Sequence, residues 1–211
     1  RGALHATSLD VLTPSPERVE APCAYASVCG GCPFMVASIT LQRETKRGFV
    51  SSALGRDVPL VTAGDALGYR RRARLAFDAR ASRLGYRGRR SNAVIDVSRC
   101  LVLSPPLEGA LEALRARVVR LLSGKGEIRL AVSTNARPVV RIDAEGPQTS
   151  ALYAALESLV GEGVFLGASV LAGGATKAAI IGDPREHTLA YDGSALVGTD
   201  GGFSQANDAV N

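Results

Sequence analysis

The stretch "YRRRARLAFDARASRLGYRG", residues 69–88, alternates between apolar and basic side chains. Successive side chains of an extended strand point to opposite faces, so one face collects the apolar residues and the other collects arginines. A turn near "RASR" would bring the chain back as a second strand. The pattern predicts an antiparallel hairpin whose apolar face carries Tyr69, Ala73, Leu75 and Phe77 and whose basic face carries Arg70, Arg72 and Arg74.

The segments around this hairpin predict further strands separated by helices. A short strand is expected at 8–13, a strand in "NAVIDVSRC", a second hairpin from "EIRLAVST" and "PVVRID", and strands in "GVFLGASVLAG", "KAAIIG" and "HTLAYDG". Helices are expected at 38–54, at 147–160, and from the N-cap Ser104 to Gly124, where leucines recur on one stripe. This mixed order favours an α+β fold with a mostly antiparallel sheet and packed helices.

Positive charge is concentrated in the predicted hairpin. The whole chain has a net charge of +5, but residues 70–90 contain nine arginines and one acid, Asp78. A basic patch with interleaved aromatic residues, here Tyr69, Phe77 and Tyr86, is typical of a surface that binds nucleic acid. The alternative is a solvated arginine-rich surface with no polyanion partner.

Three of the four cysteines lie within ten residues, in "CAYASVCGGC", residues 23–32. The fourth, Cys100, follows the predicted strand in "NAVIDVSRC". Two glycines between Cys29 and Cys32 allow a tight turn that exposes backbone N–H groups to sulfur. This grouping of three thiols and one favours a [4Fe-4S] cluster, while structural zinc and uncoordinated thiols remain as alternatives.

No apolar run reaches the length of a membrane span, and the first residues do not resemble a secretion signal. We therefore expect a cytoplasmic protein without a membrane partner. Because the sequence begins with Arg1 and stops at "FSQANDAVN", we also expect it to be a piece of a longer polypeptide.

Four stretches together resemble the RNA uracil-C5 methyltransferase family, and in particular its iron-sulfur branch that modifies 23S ribosomal RNA. They are "CAYASVCGGC", "YRRRARLAFD", "LGYRGRRSNAVIDVSRCLVLSP" and the terminal "GGFSQANDAVN". The resemblance implies three regions: 1–15 as the end of a TRAM-like barrel domain, 16–200 as a central iron-sulfur and RNA-binding domain, and 201–211 as the connection to a methyltransferase domain. That Rossmann-like catalytic domain would be missing from this chain.

The resemblance also implies cofactors and site residues. A [4Fe-4S] cluster would be held by Cys23, Cys29, Cys32 and Cys100. S-adenosylmethionine would bind mainly to the missing domain, with Gln205 near it. Ribosomal RNA would be the partner of a monomeric enzyme and would contact Arg70, Arg72, Arg74, Arg87 and Phe203. A plain helix cap is the alternative interpretation of "FSQAN".

The reaction that the resemblance implies needs a cysteine nucleophile, a base and a methyl donor. With all four cysteines assigned to the cluster, we expect no catalytic residue in this chain. The alternatives are a non-catalytic RNA-binding iron-sulfur module and a tRNA uracil-C5 methyltransferase.

Overall fold

The computed structural model describes residues 10–133, 136–190, 192–200, 202, 205–207 and 209. It divides the chain into two compact units. The smaller contains Arg1–Ala26 and Cys32–Val61, and the larger contains Ser27–Gly31 and Thr62–Asn211. The short cysteine-containing segment Ser27–Gly31 therefore belongs to the larger unit although its flanking residues belong to the smaller one. The domain boundaries expected from sequence stay predictions.

The smaller unit contains one helix, α1, at Ile39–Leu54. Its N-cap is Ser38, whose hydroxyl accepts a hydrogen bond from the backbone N–H of Leu41 at 3.1 Å. The helix ends at Gly55, which adopts the left-handed conformation that ends many helices. The sequence prediction of this helix is confirmed. The prediction of a strand at 8–13 is wrong for its described residues: 10–13 form no strand and have no ladder partner.

The larger unit is built on a seven-stranded sheet with the order β3-β2-β1-β4-β5-β6-β7. All neighbouring strands are antiparallel except β5 and β6, which are parallel. The strands are β1 Arg72–Asp78, β2 Arg83–Arg87, β3 Val94–Asp96, β4 Lys125–Val132, β5 Pro138–Ala144, β6 Gly167–Leu171 and β7 Ala179–Gly182. A separate hairpin joins β8 His187–Leu189 to β9 Ala195–Val197. The predicted α+β class and hairpins are confirmed.

Two helices, α2 at Pro105–Arg117 and α3 at Ser150–Gly161, bury their leucines against apolar residues of the sheet. Phe77 lies opposite Gly126 in the register of β1 and β4. A Cβ on Gly126 would stand 2.7 Å from the Phe77 ring, so the absence of a side chain there lets the ring pack onto the backbone. The fully buried side chains include Leu75, Phe77, Leu107, Leu111, Leu114, Ile128, Ile142, Leu152 and Phe165.

The predicted helix after Ser104 is shorter than expected. It ends at Arg117, and a 3₁₀ turn at Val119–Leu121 continues toward Gly124. Val118 leaves the regular helical conformation at φ −116° and ψ −45°, although its N–H still bonds to the Leu114 carbonyl. The third helix begins three residues later than predicted, because Thr149 is still extended.

Replacing Leu111 with alanine is expected to destabilise the larger unit by about 2–5 kcal/mol, because Leu111 is fully buried in the helix–sheet core. Urea unfolding of the two proteins measures this difference. Leu189→Ala is the matched control, since Leu189 is 61% exposed, and it should change stability by less than about 0.5 kcal/mol. Equal losses for the two variants would contradict this assignment of the core.

Candidate functional site

The cysteine-containing segment Ser27–Gly31 pairs with the end of β2 in the larger unit. Cys29 forms an isolated antiparallel bridge with Gly88, and Gly30 donates its N–H to the Arg87 carbonyl at 3.0 Å. A Cβ on Gly30 would stand only 3.0 Å from that same oxygen, so glycine permits this close approach. The N–H of Gly31 points to the Cys29 sulfur at 3.4 Å. The turn therefore presents a backbone donor to a thiol, as the sequence suggested.

Cys100 lies in the same unit, beyond the end of β3 and before α2. Its backbone N–H donates to the Glu108 carboxylate at 3.1 Å, which ties it to the first turn of α2. Burial is the main reason that the pKa of the Cys100 thiol is raised above its usual value. The Tyr86 hydroxyl of β2 lies 3.8 Å from the Cys100 sulfur. Cys100 is thus held against the sheet beside a tyrosine hydroxyl.

Cys23 and Cys32 belong to the smaller unit, where each begins a turn. The Cys23 carbonyl accepts from Ala26 at 3.0 Å, and the Cys32 carbonyl accepts from Met35 at 3.3 Å. None of the four cysteines, all of which are described, forms a disulfide. Among the described residues, no group of three or more His, Cys, Asp or Glu side chains is placed to hold a metal ion. The four-cysteine site stays a prediction.

A row of arginines crosses the face of the sheet opposite α2 and α3. Arg74 lies opposite Arg129 in the pairing of β1 and β4, and Arg129 lies opposite Arg141 in the pairing of β4 and β5. Like charges directly opposite each other destabilise a sheet. Glu127 and Asp143, which form the next row, offset this repulsion. We call Arg74, Arg129 and Arg141 the arginine row.

Ion pairs neutralise part of this row. Arg74 donates to Glu127 at 2.7 Å, and Arg87 of β2 lies 3.9 Å from the same carboxylate. Arg141 contacts Asp143 at 2.9 Å and Asp200 at 2.7 Å, and these bonds raise its pKa. The exposed fraction falls along the row, from 66% for the Arg74 side chain to 39% for Arg129 and 20% for Arg141.

A cleft of about 400 Å³ opens over this face in the larger unit. Five arginines and two acids line it: Arg70, Arg72, Arg74, Arg129, Arg141, Glu186 and Asp200. Arg72 forms an ion pair with Glu186, and both side chains are largely buried. Burial is also the main reason that the pKa of Arg72 is lowered. The excess of arginines over carboxylates makes the cleft a place where an anion can bind.

The segment around Gln205 lies at the edge of this cleft. The carbonyl of Ala206, which lines the cleft, accepts a hydrogen bond from the N–H of Arg71 at 2.8 Å. Gln205 is exposed, and neither it nor Ala206 is helical. The Asn207 side chain accepts from the N–H of Ala209 at 3.1 Å, which makes a local turn. Phe203, the other residue predicted here, lies outside the described residues.

Comparison of the sequence with known proteins gives relatives over nearly its whole length. It is 34% identical over 221 aligned positions to the 23S rRNA (uracil(1939)-C(5))-methyltransferase RlmD of Pectobacterium carotovorum, which covers 98% of this chain and 48% of the relative. It is 39% identical over 143 positions to the RlmD of Pectobacterium atrosepticum, covering 62% of this chain and 32% of the relative. The chain belongs to the RNA uracil-C5 methyltransferase family.

A structural comparison agrees with membership of this family at the level of the fold. The tRNA (uracil-54, C5)-methyltransferase of Pyrococcus abyssi, solved in complex with S-adenosyl-L-homocysteine, superposes with a TM-score of 0.70 at 17% identity. The superposition covers 95% of this chain and 50% of that enzyme. A scan of models of protein families gave no match. The chain spans between about a quarter and a half of the length of the curated relatives that it matches.

Arg129 and Arg141 line the cleft of this family member, although neither is among the site residues predicted from the sequence. Both follow the same alternation as the first hairpin, since Glu127, Arg129 and Ala131 share one face of β4. That signal was available in "EIRLAVST" and "PVVRID". The four predicted RNA-binding arginines differ in setting: Arg74 and Arg87 are exposed, whereas Arg70 and Arg72 are partly buried. Contact of any of them with RNA stays a prediction.

The described helices include none that is long and apolar enough to pass through a membrane.

Proposed function

We propose that this chain is the central part of an S-adenosylmethionine-dependent enzyme that methylates carbon 5 of a uridine in 23S ribosomal RNA. The observation that carries the proposal is the 34% identity to an RlmD enzyme across 98% of the chain. Such an enzyme works where ribosomal RNA is made and assembled, so the proposal includes a cytoplasmic location. Gln205 would lie near the methyl donor and the target base, where its amide can both donate and accept hydrogen bonds.

We further propose that Cys23, Cys29, Cys32 and Cys100 hold a [4Fe-4S] cluster. Two observations in the larger unit support a sulfur-ligated group there. The Gly31 N–H points to the Cys29 sulfur, and the Tyr86 hydroxyl stands beside the Cys100 sulfur. Hydrogen bonds to the sulfurs are a general feature of such clusters. When bound, the cluster would crosslink thiolates that are distant in the sequence.

The experiment that tests the activity uses the full-length protein, with labelled S-adenosylmethionine and RNA from cells that lack the modification. We expect label in a uridine of the 23S RNA. Mass spectrometry of nuclease fragments would locate that uridine. Label in tRNA instead would favour the tRNA enzyme that is the alternative. If the protein binds either RNA but transfers no label to it, the remaining alternative is a non-catalytic RNA-binding module.

RNA phosphates are the proposed ligands of the 400 Å³ cleft lined by five arginines, which we call the arginine cleft. The variant to test replaces both Arg74 and Arg129 with glutamine. Each of the carboxylates next to them keeps another arginine, since Glu127 still faces Arg87 and Asp143 still faces Arg141. Arg72 is left in place because its loss would remove an ion-pair partner of the buried Glu186 carboxylate.

We expect this double variant to bind RNA more weakly and with a smaller salt dependence. Each lost phosphate contact should reduce the slope of log affinity against log salt by about 0.7–0.9. Filter binding or fluorescence anisotropy at several salt concentrations measures it. Arg117→Gln is the matched control, because Arg117 lies on α2 and pairs with Glu162 on the helical side. An unchanged slope in the double variant would show that RNA does not bind in the cleft.

A further inference from the structure

Residues on both sides of Gln205 in the sequence, and next to it, line one side of the arginine cleft. Thr199, Asp200, Gly202 and Ala206 all line the cleft, together with residues of β1, β4 and β5. These four residues follow the strand β9, and Gln205 comes directly before the last of them. The bonds that hold them against the sheet therefore help to set the position of Gln205.

Arg71, just before β1, and Arg72, the first residue of β1, bind main-chain groups of this segment. The Arg71 N–H donates to the Ala206 carbonyl at 2.8 Å, and the Arg72 guanidinium donates to the Gly202 carbonyl. Arg72 also pairs with Glu186, which directly precedes β8. One arginine thus contacts the chain both before and after the hairpin of β8 and β9. A side-chain substitution in the segment leaves these carbonyl acceptors in place.

Asp200 binds the same segment to the sheet through a side chain. Its carboxylate accepts from the Arg141 guanidinium of β5 at 2.7 Å, and each of the two side chains is 20% exposed. A charge-assisted hydrogen bond that is mostly shielded from water is stronger than an exposed ion pair. Arg141 also contacts Asp143 at 2.9 Å, so its charge is balanced without Asp200. The bond therefore matters more for the position of the segment than for the charge of Arg141.

Asp200 also places a negative charge in a cleft whose proposed ligand is RNA phosphate. Like charges repel, so this carboxylate opposes the binding of a phosphate there. Its removal would leave all five arginines of the cleft in place and make the cleft more positive. A contribution to RNA affinity does not account for an acid at this position. Holding the residues next to Gln205 does account for it.

We propose that Asp200 is a positioning residue for methyl transfer, because its bond to Arg141 fixes the segment that places Gln205 near the methyl donor and the target base. The proposal rests on the proposed function of the chain and on the role proposed for Gln205. Asp200 acts through the chain that joins it to Gln205, five positions later. Its loss should therefore impair the chemical step and leave the RNA contacts of the cleft intact.

The test measures turnover and RNA affinity of full-length Asp200→Ala with unmodified 23S RNA and S-adenosylmethionine. We expect kcat to fall about 10-fold to 100-fold, since a misplacement of about 1 Å can cost that much. RNA should bind at least as tightly as to the wild type. Asp200→Asn keeps an acceptor oxygen of the same shape and should recover part of the turnover. Asp192→Ala is the matched control, because Asp192 is exposed between β8 and β9, outside the described lining of the cleft.

A double variant distinguishes an effect through Gln205 from a general loss of structure. If Asp200 acts by placing Gln205, adding Asp200→Ala to Gln205→Ala should lower kcat by less than about 2-fold further, because the side chain to be placed is already gone. A further loss of about 10-fold, a normal kcat of Asp200→Ala, or weaker RNA binding by that variant would overturn this proposal alone. Wild-type enzyme that methylates no 23S RNA would overturn the proposed function, and this proposal with it.

Discussion

Replacing Cys100 with serine is expected to remove most of the iron from the full-length protein. Anaerobically prepared wild-type protein should be brown and contain about four irons and four sulfides per chain, if all four cysteines bind one cluster. Cys100 is half-buried and packs against the core, and its backbone N–H donates a hydrogen bond to the Glu108 carboxylate. These contacts fix the position of its thiol. A serine hydroxyl is a poor ligand for iron in such a cluster, so the variant should hold less than about one iron per chain.

Val28→Ala is the matched control for the loss of iron. Val28 is 47% exposed and lies next to Cys29, and its backbone carbonyl, which accepts from Arg89, is unchanged by the substitution. Its iron content should equal that of the wild type. Limited proteolysis adds a second readout, because loss of the cluster should expose the segment at 23–32 to cleavage. Wild-type protein with stoichiometric zinc and no sulfide would contradict the cluster, as would a Cys100→Ser variant with full iron.

A polypeptide of residues 1–211 is expected to transfer no methyl groups to RNA, whereas the full-length enzyme should do so. The proposed reaction needs a cysteine thiolate that adds to carbon 6 of the uracil. The chain has four cysteines, and the proposed cluster would use all of them, so none would be available as the nucleophile. Incubation of both proteins with labelled S-adenosylmethionine and unmodified ribosomal RNA measures the difference. Labelled RNA from the 211-residue polypeptide alone would contradict this assignment of the cysteines.

Gln205→Ala in the full-length enzyme should lower turnover while its iron content stays normal. Gln205 is exposed, it precedes Ala206, which lines the arginine cleft, and it is far in the sequence from the cysteines. The loss of one hydrogen-bonding side chain at a reacting base costs about 10²-fold to 10³-fold when that side chain stabilises the transition state. Asn92→Ala is a suitable control, because it removes an exposed amide outside this cleft. Normal turnover of the Gln205 variant would leave the segment with a purely structural role.

The first hairpin could be predicted from the sequence because its signal is local. Alternation in "YRRRARLAFD" places Leu75 and Phe77 in the core and Arg74 in solvent, which the structure confirms. Alternation also places Arg129 and Arg141 on one face of their own strands, but their alignment with Arg74 could not be predicted, since it depends on the register of β1 with β4, which tertiary packing sets. The same holds for the ion pair between Arg72 and Glu186, whose partners lie on distant segments.

Short strands without a strong residue pattern could also not be predicted from the sequence. The strand β9 has three residues, all exposed, and it is held by its pairing with β8. Nothing in "ALV" alone distinguishes it from a loop. Conversely, "SLDVLT" has an apolar pattern suited to a strand, but 10–13 find no ladder partner. A strand exists only where another strand completes its backbone hydrogen bonds, and local sequence does not specify that partner.

The register of β1 has a consequence for the nascent chain. Ala73 pairs with Leu130, 57 positions later, whereas Ala76 pairs with Gly85 within the first hairpin. At synthesis rates of about 5–20 residues per second, one edge of β1 stays unpaired for roughly 3–11 seconds until β4 has been synthesised. An unpaired edge with apolar side chains invites aggregation during that interval. Arg72 and Arg74 lie at alternate positions of this unpaired edge, where their charges oppose pairing with a strand of another chain. They therefore act as gatekeepers against aggregation before they line the cleft.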